Sequence, residues 1–282
     1  MTPQLTIPPY GSIKGANPHD WWHHTFNAWW GCQKVSRACK NCYAETIANH
    51  FHPDKKLWRG ERKRMADANW KKPMTWQRKA EKAGEMQLVF CGSMMDVFED
   101  RDDLKEPRAR LFALIDQTPN LLWQLTTKRP ENALPMLWLY KGGWQFIPKN
   151  IQIVVTLESA AEYNNRRSHV DEMSTVLPVQ LSIELCFWHP SEVREFFQQA
   201  NLDNISRIIA GGEAGDKAEP TDIDAFREWR DGCKAHGIPF FFKQHGKHVW
   251  ASQDPSDSSV SFDWIDCTHI LTAIKSRQNT DA

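Results

Sequence analysis

From about residue 86 onward, short apolar runs alternate with stretches of helical period. The runs are 86–91 (MQLVFC), 121–126 (LLWQLT), 151–157 (IQIVVTL), 179–185 (VQLSIEL), 206–211 (SRIIAG) and 238–243 (IPFFFK). Runs this short and this continuously apolar read as strands buried on both faces. Between them the spacing predicts helices over roughly 102–117, 129–140, 159–167, 191–200 and 222–236. Strand and helix in alternation make right-handed βαβ units, hence a parallel sheet covered by helices. With a first strand near 23–30 (HHTFNAWW), about seven such units are expected. That number suits a partial or closed parallel (βα) barrel of six to seven units, in an α/β chain, better than a doubly wound sheet. No G-x-G-x-x-G follows the first strand to argue for a dinucleotide fold. The barrel is expected over 1–250, with a C-terminal extension over 251–282.

Polar residues gather where each apolar run stops: Ser93 and Asp96, then Thr126, Thr127, Lys128 and Arg129, then Thr156, Glu158 and Ser159. Ser182 and Glu184, Gly211, Gly212 and Glu213, and Lys243 and Gln244 continue the series. In a βα barrel these positions share the C-terminal rim, where catalytic groups collect. Any one of them is explained as well by helix capping and solvent contact. Six rims in succession point to a site.

The segment 52–82 differs in kind, being rich in Lys and Arg with Trp58, Trp70 and Trp76 interleaved. Cations with aromatic plates suit phosphate contact and base stacking. The alternative is a helical excursion whose tryptophans pin it to the barrel while Lys and Arg stems lie over them.

Composition narrows the class. A chain of 282 residues with 41% hydrophobic content can bury a large core, and 35 basic against 35 acidic residues exclude the strong positive field of a DNA-coating protein. No run reaches membrane-spanning length and no leader pattern opens the chain, so a soluble, cytoplasmic protein without a membrane partner is expected, in the host cytoplasm if phage-encoded. The 7 cysteines are unevenly placed, which argues against a disulfide framework. Cys91, Cys186, Cys233 and Cys267 are scattered, whereas Cys32, Cys39 and Cys42 form a C-x6-C-x2-C cluster after the first strand.

Three readings fit that spacing. The cysteines hold an iron–sulfur cluster with one iron left open, or a structural zinc with His50 or His52 as fourth ligand, or nothing. Zinc usually staples a module with little core of its own, whereas these cysteines open a large α/β chain.

The pieces GCQKVSRACKNCYAE, FCGSMMDVFED, LTTKRPE, LSIEL, IIAGGEAGDKAEP and PFFFKQHG, between about residues 25 and 247, resemble the radical S-adenosylmethionine superfamily. More closely, they resemble a phage and prophage family of three-cysteine proteins assigned to it. The first cysteine interval is six residues where the superfamily has three, and Asn41 stands where an aromatic usually packs on adenine, a role left to Tyr43 or a nearby Trp.

The resemblance implies a [4Fe–4S] cluster on Cys32, Cys39 and Cys42, with S-adenosyl-L-methionine on the open iron and a reductant protein such as a flavodoxin or ferredoxin. It implies a 5′-deoxyadenosyl radical that abstracts hydrogen from, or rearranges, a nucleobase or nucleotide, with phage DNA as a candidate substrate and isomerisation among the outcomes. By position, Gly92 and Ser93 (after Cys91) meet the methionyl amino group, and Thr156, Glu158, Ser182 and Glu184 meet the ribose. Gly211, Gly212 and Glu213 bring backbone amides to the ligand, and Lys128, Arg129, Lys243 and Gln244 face an anionic substrate. Cys91 and Cys186 are candidates for returning a hydrogen atom to product, against the plainer reading of small buried residues. Glu184 and Glu213 serve equally well as scaffold, salt-bridged to a rim cation. The competing function is a noncatalytic metal-stabilised protein that holds nucleic acid with 52–82.

Overall fold

A computed structural model of the chain describes residues 21–143 and 147–250. The expected extension over 251–282, with Cys267, lies outside the described residues. In chain order the elements are β1 (His24–Phe26), β2 (Trp29–Trp30), α1 (Tyr43–Phe51), β3 (Lys63–Arg64), α2 (Asp67–Trp70), α3 (Lys72–Ala83), β4 (Gln87–Cys91), α4 (Lys105–Asp116) and β5 (Leu121–Thr127). There follow α5 (Pro130–Lys141), β6 (Ile151–Thr156), α6 (Ala160–Ser174), β7 (Val179–Glu184), α7 (Pro190–Gln199), β8 (Ile205–Gly211), β9 (Thr221–Asp222), α8 (Ile223–Ala235), β10 (Phe240–Gln244) and β11 (Val249–Trp250).

Seven strands form one sheet in the order β1-β4-β5-β6-β7-β8-β10, every pair parallel. Each βα unit adds its strand beside the last, and the accumulated twist curls the sheet into a half-barrel with β1 and β10 as its edges. The two faces of the sheet then meet different surroundings. On the convex face Val89, Trp123, Leu125, Ile153, Val155, Leu181, Ile183 and Ile208 pack under the helices in one apolar core. Alternate residues point into the concavity, where Gln124 Nε2 donates to Gln152 Oε1 (3.4 Å) and Gln180 Oε1 (3.3 Å), and Arg207 Nη2 donates to Gln180 Oε1 (2.8 Å). Trp21, Phe90, Ile209 and Phe241 fill the space beside this polar layer.

Helix α6 runs to Ser174 rather than 167, because Val170 and Met173 extend its buried face through a polar run. Ser159 caps it, its hydroxyl accepting Glu162 N, so this rim residue is a helix cap.

The segment 52–82 folds as β3, α2 and α3, and its tryptophans turn inward. Trp70 is buried edge-on to Phe26 (5.3 Å), Trp58 is buried against Ala44, Ala48 and Met94, and Trp76 stacks on His24 (4.3 Å). Lys55, Lys56, Arg59, Lys71, Lys72, Arg78, Lys79 and Lys82 remain exposed. Of the two readings of this segment, the arrangement follows the pinned excursion: an indole's large apolar area outweighs its single polar atom once a core is within reach.

Candidate functional site

At the C-terminal mouth of the half-barrel lies a cavity of about 380 Å³. Its lining includes all three clustered cysteines, together with Tyr43, Gly92, Ser93, Lys128, Thr156, Ser182, Glu184, Gly212 and Glu213. The cysteine loop reaches this position through a sharp turn at Gly31, which has φ +113° and no room for a side chain. A Cβ there would stand 2.4 Å from Leu57 O and 2.7 Å from Arg62 Cδ. Arg62 and Glu99 form an ion pair beside the turn, their side chains 2% exposed each, and Glu99 Oε1 also accepts Gln33 N (3.1 Å). The segment 52–82 thus braces the residue next to Cys32.

On the far side the loop is latched to the chain after β8. Asn41 Nδ2 donates to Lys217 O (2.8 Å) and to Glu213 Oε2 (3.5 Å), which also accepts Glu219 N (2.7 Å), and Arg37 Nε donates to Glu219 Oε2 (2.9 Å). Glu213 is thus buried and tied to the cysteine loop through Asn41, not through a rim cation, while still lining the cavity. Glu184 is paired with Lys243 (2.6 Å), although both line the cavity.

The electrostatics of the loop are uneven. Burial first, and the Asp96 carboxylate after it, push the Cys32 thiol up to about 12, against the pull of Arg129. Burial works against the charge on Lys128, but Glu158, Cys39 and Cys42 outweigh it and hold the ammonium above its ordinary value. Burial also opposes ionisation of Glu158, yet Lys128 and Arg166 (2.8 Å) keep its carboxyl below the usual range.

Several expected residues stand elsewhere. Cys91 does not line the cavity: it lies on the convex face of β4, in the apolar core, and burial alone raises its thiol. Cys186 is in the same core, its thiol pushed by burial up to about 12. Both follow the plainer reading: the two-residue period of β4 sends Cys91 toward the helices, and Cys186, two residues past the end of β7, is folded into the same core. Glu158 is fully buried behind the lining, and Gly211 is paired within the sheet. Gly212 N donates to Gln244 O (3.0 Å), and a Cβ there would meet His245 O at 2.0 Å, so this glycine makes room for the chain after β10 rather than offering its amide to a ligand. His50 and His52 are not in the lining, and His52 Nε2 lies 2.6 Å from Lys63 Nζ.

Reasoning from sequence passed over Trp21 and Phe90, which line the cavity, and the glutamines below it. A signal was present, since Gln124 and Gln180 each precede a rim hydroxyl, Thr126 and Ser182, by two residues.

Among the described residues no three or more His, Cys, Asp or Glu side chains are grouped as ligands of one metal ion. A cubane makes a different demand, since each cysteine binds a separate iron and the sulfurs stand further apart than around one ion. The chemistry of the donor set is compatible with that demand: three cysteines line one cavity together with Lys128 and Arg129, and Thr126 Oγ1 is a buried hydroxyl of the lining with no partner among the described atoms.

A family model described as "Protein of unknown function (DUF5131)" matches residues 17–278. The chain belongs to that family. The DUF5131 match takes in the cysteine loop, the segment 52–82 and every strand of the half-barrel. No curated protein and no solved structure matches the chain. Among the described residues no helix is long and apolar enough to cross a membrane.

Proposed function

We propose that this chain is a radical S-adenosylmethionine enzyme whose [4Fe–4S] cluster is held by Cys32, Cys39 and Cys42. The observation that carries the reading is the meeting of the three cysteines, from the loop after the first sheet strand, with the strand-end hydroxyls Thr126, Thr156 and Ser182 in one cavity. Held by Cys32, Cys39 and Cys42, such a cluster would supply the one-electron reductive cleavage of S-adenosylmethionine to methionine and a hydrogen-abstracting 5′-deoxyadenosyl radical, the electron coming from a reductant protein such as a flavodoxin or ferredoxin.

The chain's own residues bind, orient and exclude water. Thr126, Thr156 and Ser182 project from three successive strands and present hydroxyls to a ribose. Trp21 and Phe90 form an apolar floor that keeps bulk water from the radical's path. The Lys243–Glu184 pair neutralises itself at the mouth, which favours a substrate held by shape and hydrogen bonds over one held by net charge. A nucleobase or nucleotide meets that description, and an isomerisation or other radical-dependent modification of it is the reaction class. The support for this substrate is the resemblance and the cavity, whose lining includes Trp58 of the segment 52–82 but neither Trp70 nor Trp76.

The test is direct. Anaerobically purified and reconstituted protein, given S-adenosylmethionine and dithionite, is expected to form 5′-deoxyadenosine. A colourless protein that forms none overturns the proposal and favours a noncatalytic, metal-stabilised protein.

A further inference from the structure

The strand-end sequence Thr127–Lys128–Arg129 puts two cations beside the cysteine loop. A cluster with three thiolate ligands brings net negative charge into a half-enclosed cavity, where charge is costly unless it is paired. Arg129 is buried, and its guanidinium is divided among three partners. Nη1 lies 2.9 Å from Asp96 Oδ2 and 3.7 Å from Cys32 Sγ, and Nη2 donates to Gln33 O at 2.7 Å.

Asp96 is itself saturated: besides Arg129 it accepts the Thr127 hydroxyl (2.7 Å), Lys128 N (3.0 Å) and Phe98 N (3.0 Å). These bonds hold the guanidinium in place whatever the sulfur carries. A neutral thiol gives a cation little, so an N–H kept within reach of Cys32 is organised for the thiolate. The next residue, Lys128, lines the same cavity as Cys39 and Cys42. One dipeptide therefore brings two cations into the lining that holds all three cysteines, with Arg129 in direct reach of Cys32.

We propose that Lys128 and Arg129 are positioning residues for the cluster's charge, Arg129 serving Cys32 and Lys128 serving Cys39 and Cys42, and that together they stabilise its reduced state. This rests on the cluster proposed above and moves both residues from the substrate-facing role their rim position suggested. The physical basis is general: hydrogen bonds and positive charge near the sulfurs favour the more electron-rich form of a cluster and raise its potential.

The test compares wild type with R129Q, R129K and K128M, each reconstituted anaerobically. Iron per chain and the midpoint potential are read from a redox titration followed by the EPR signal of the reduced cluster. R129Q and K128M are each expected to retain iron and to shift the reduction equilibrium about tenfold toward the oxidised form, a fall of about 59 mV for one electron. R129K should recover part of that shift, since it keeps the charge but not the fork. Wild type without a cluster overturns the function proposed above and this inference with it. Wild type with a cluster, and R129Q and K128M with unchanged potentials, overturns this inference alone. Should R129Q fail to load iron because the loop has lost its brace, K128M decides: a lowered potential supports the assignment, and an unchanged one with altered substrate KM returns Lys128 to the substrate and overturns it.

Discussion

The cysteine loop over 32–42 and the basic segment over 52–82 carry the two strongest chemical signals in the chain, and the fold uses them in opposite ways. The loop's cysteines line a cavity, while Trp70 of the segment is withdrawn into the core and Trp76 packs against it, Trp58 is buried but borders the same cavity, and most of the segment's cations other than Arg62 are left in solvent. The contrast teaches that residue type announces a chemistry only where the backbone denies the residue a cheaper place. An indole near a core buries its area there. Cys32, held on the rim by Gly31, Glu99 and Arg129, packs against the edge of the Trp58 cluster and still lines the cavity. The two regions are also joined: Arg62 of the basic segment pairs with Glu99, which holds the backbone beside Cys32.

The largest effect that would break this contrast is loss of the proposed cluster. Changing Cys32, Cys39 and Cys42 together to Ala should remove the iron and the broad visible absorbance of reconstituted protein; iron content equal to wild type would refute their assignment.

Next comes the joint between the regions. Arg62→Met leaves Glu99 buried without its partner and should cost about 3–5 kcal/mol in urea unfolding, while the double variant R62M/E99L should recover much of it. A single-variant cost within error of zero would mean that Glu99 is solvated and braces nothing.

The buried indoles set the third test. Trp58→Ala and Trp70→Ala should each cost about 3–5 kcal/mol, by the transfer and cavity terms for a large aromatic side chain. If they instead leave stability alone and weaken nucleic-acid binding, the segment is a reader and its tryptophans are platforms.

A smaller effect concerns pH and the first strand. His23 Nδ1 accepts Leu88 N (2.9 Å), and burial, followed by the charge of His24, lowers the His23 pKa to about 4. The neutral ring is the folded form, so its stabilisation is complete above pH 6.5 and is lost as pH falls toward 4. Discounted for partial exposure, this amounts to about 1–2 kcal/mol. His23→Phe should flatten the pH dependence of unfolding across that window, and an unchanged slope would remove His23 from it.

The smallest effect is expected from the exposed cations. Replacing Lys55, Lys56, Lys71 and Lys72 by Gln should change stability by less than about 0.5 kcal/mol each. Any DNA retention should keep its salt dependence; a slope reduced by about one unit per lysine would show that the segment grips phosphates after all.

Much of the fold was legible along the chain because its elements are local patterns. The run IQIVVT is β6 and VQLSIE is β7, each within a residue of the expected bounds, and α5, α7 and α8 fall where helical spacing placed them. The rim was legible too, since strand ends in a βα sheet share one edge, and most of the polar residues there do line one cavity. Cys91 was misjudged because being at a strand end says nothing about which face a side chain takes. Trp58 was ambiguous because its neighbours, Ala44, Ala48 and Met94, come from other parts of the chain.

By itself, then, the order of residues determined the parallel α/β architecture, the rim and the thiol-rich loop, because hydrophobic period and cysteine spacing act over a few residues. Only the tertiary structure decided that the sheet curls into a half-barrel with β1 and β10 at the ends of its described strand order, that the indoles point inward, and that Arg129 stands 3.7 Å from Cys32, ninety-seven positions away. Those outcomes depend on which distant side chains meet when a large apolar sheet is covered, and no window of sequence contains both partners.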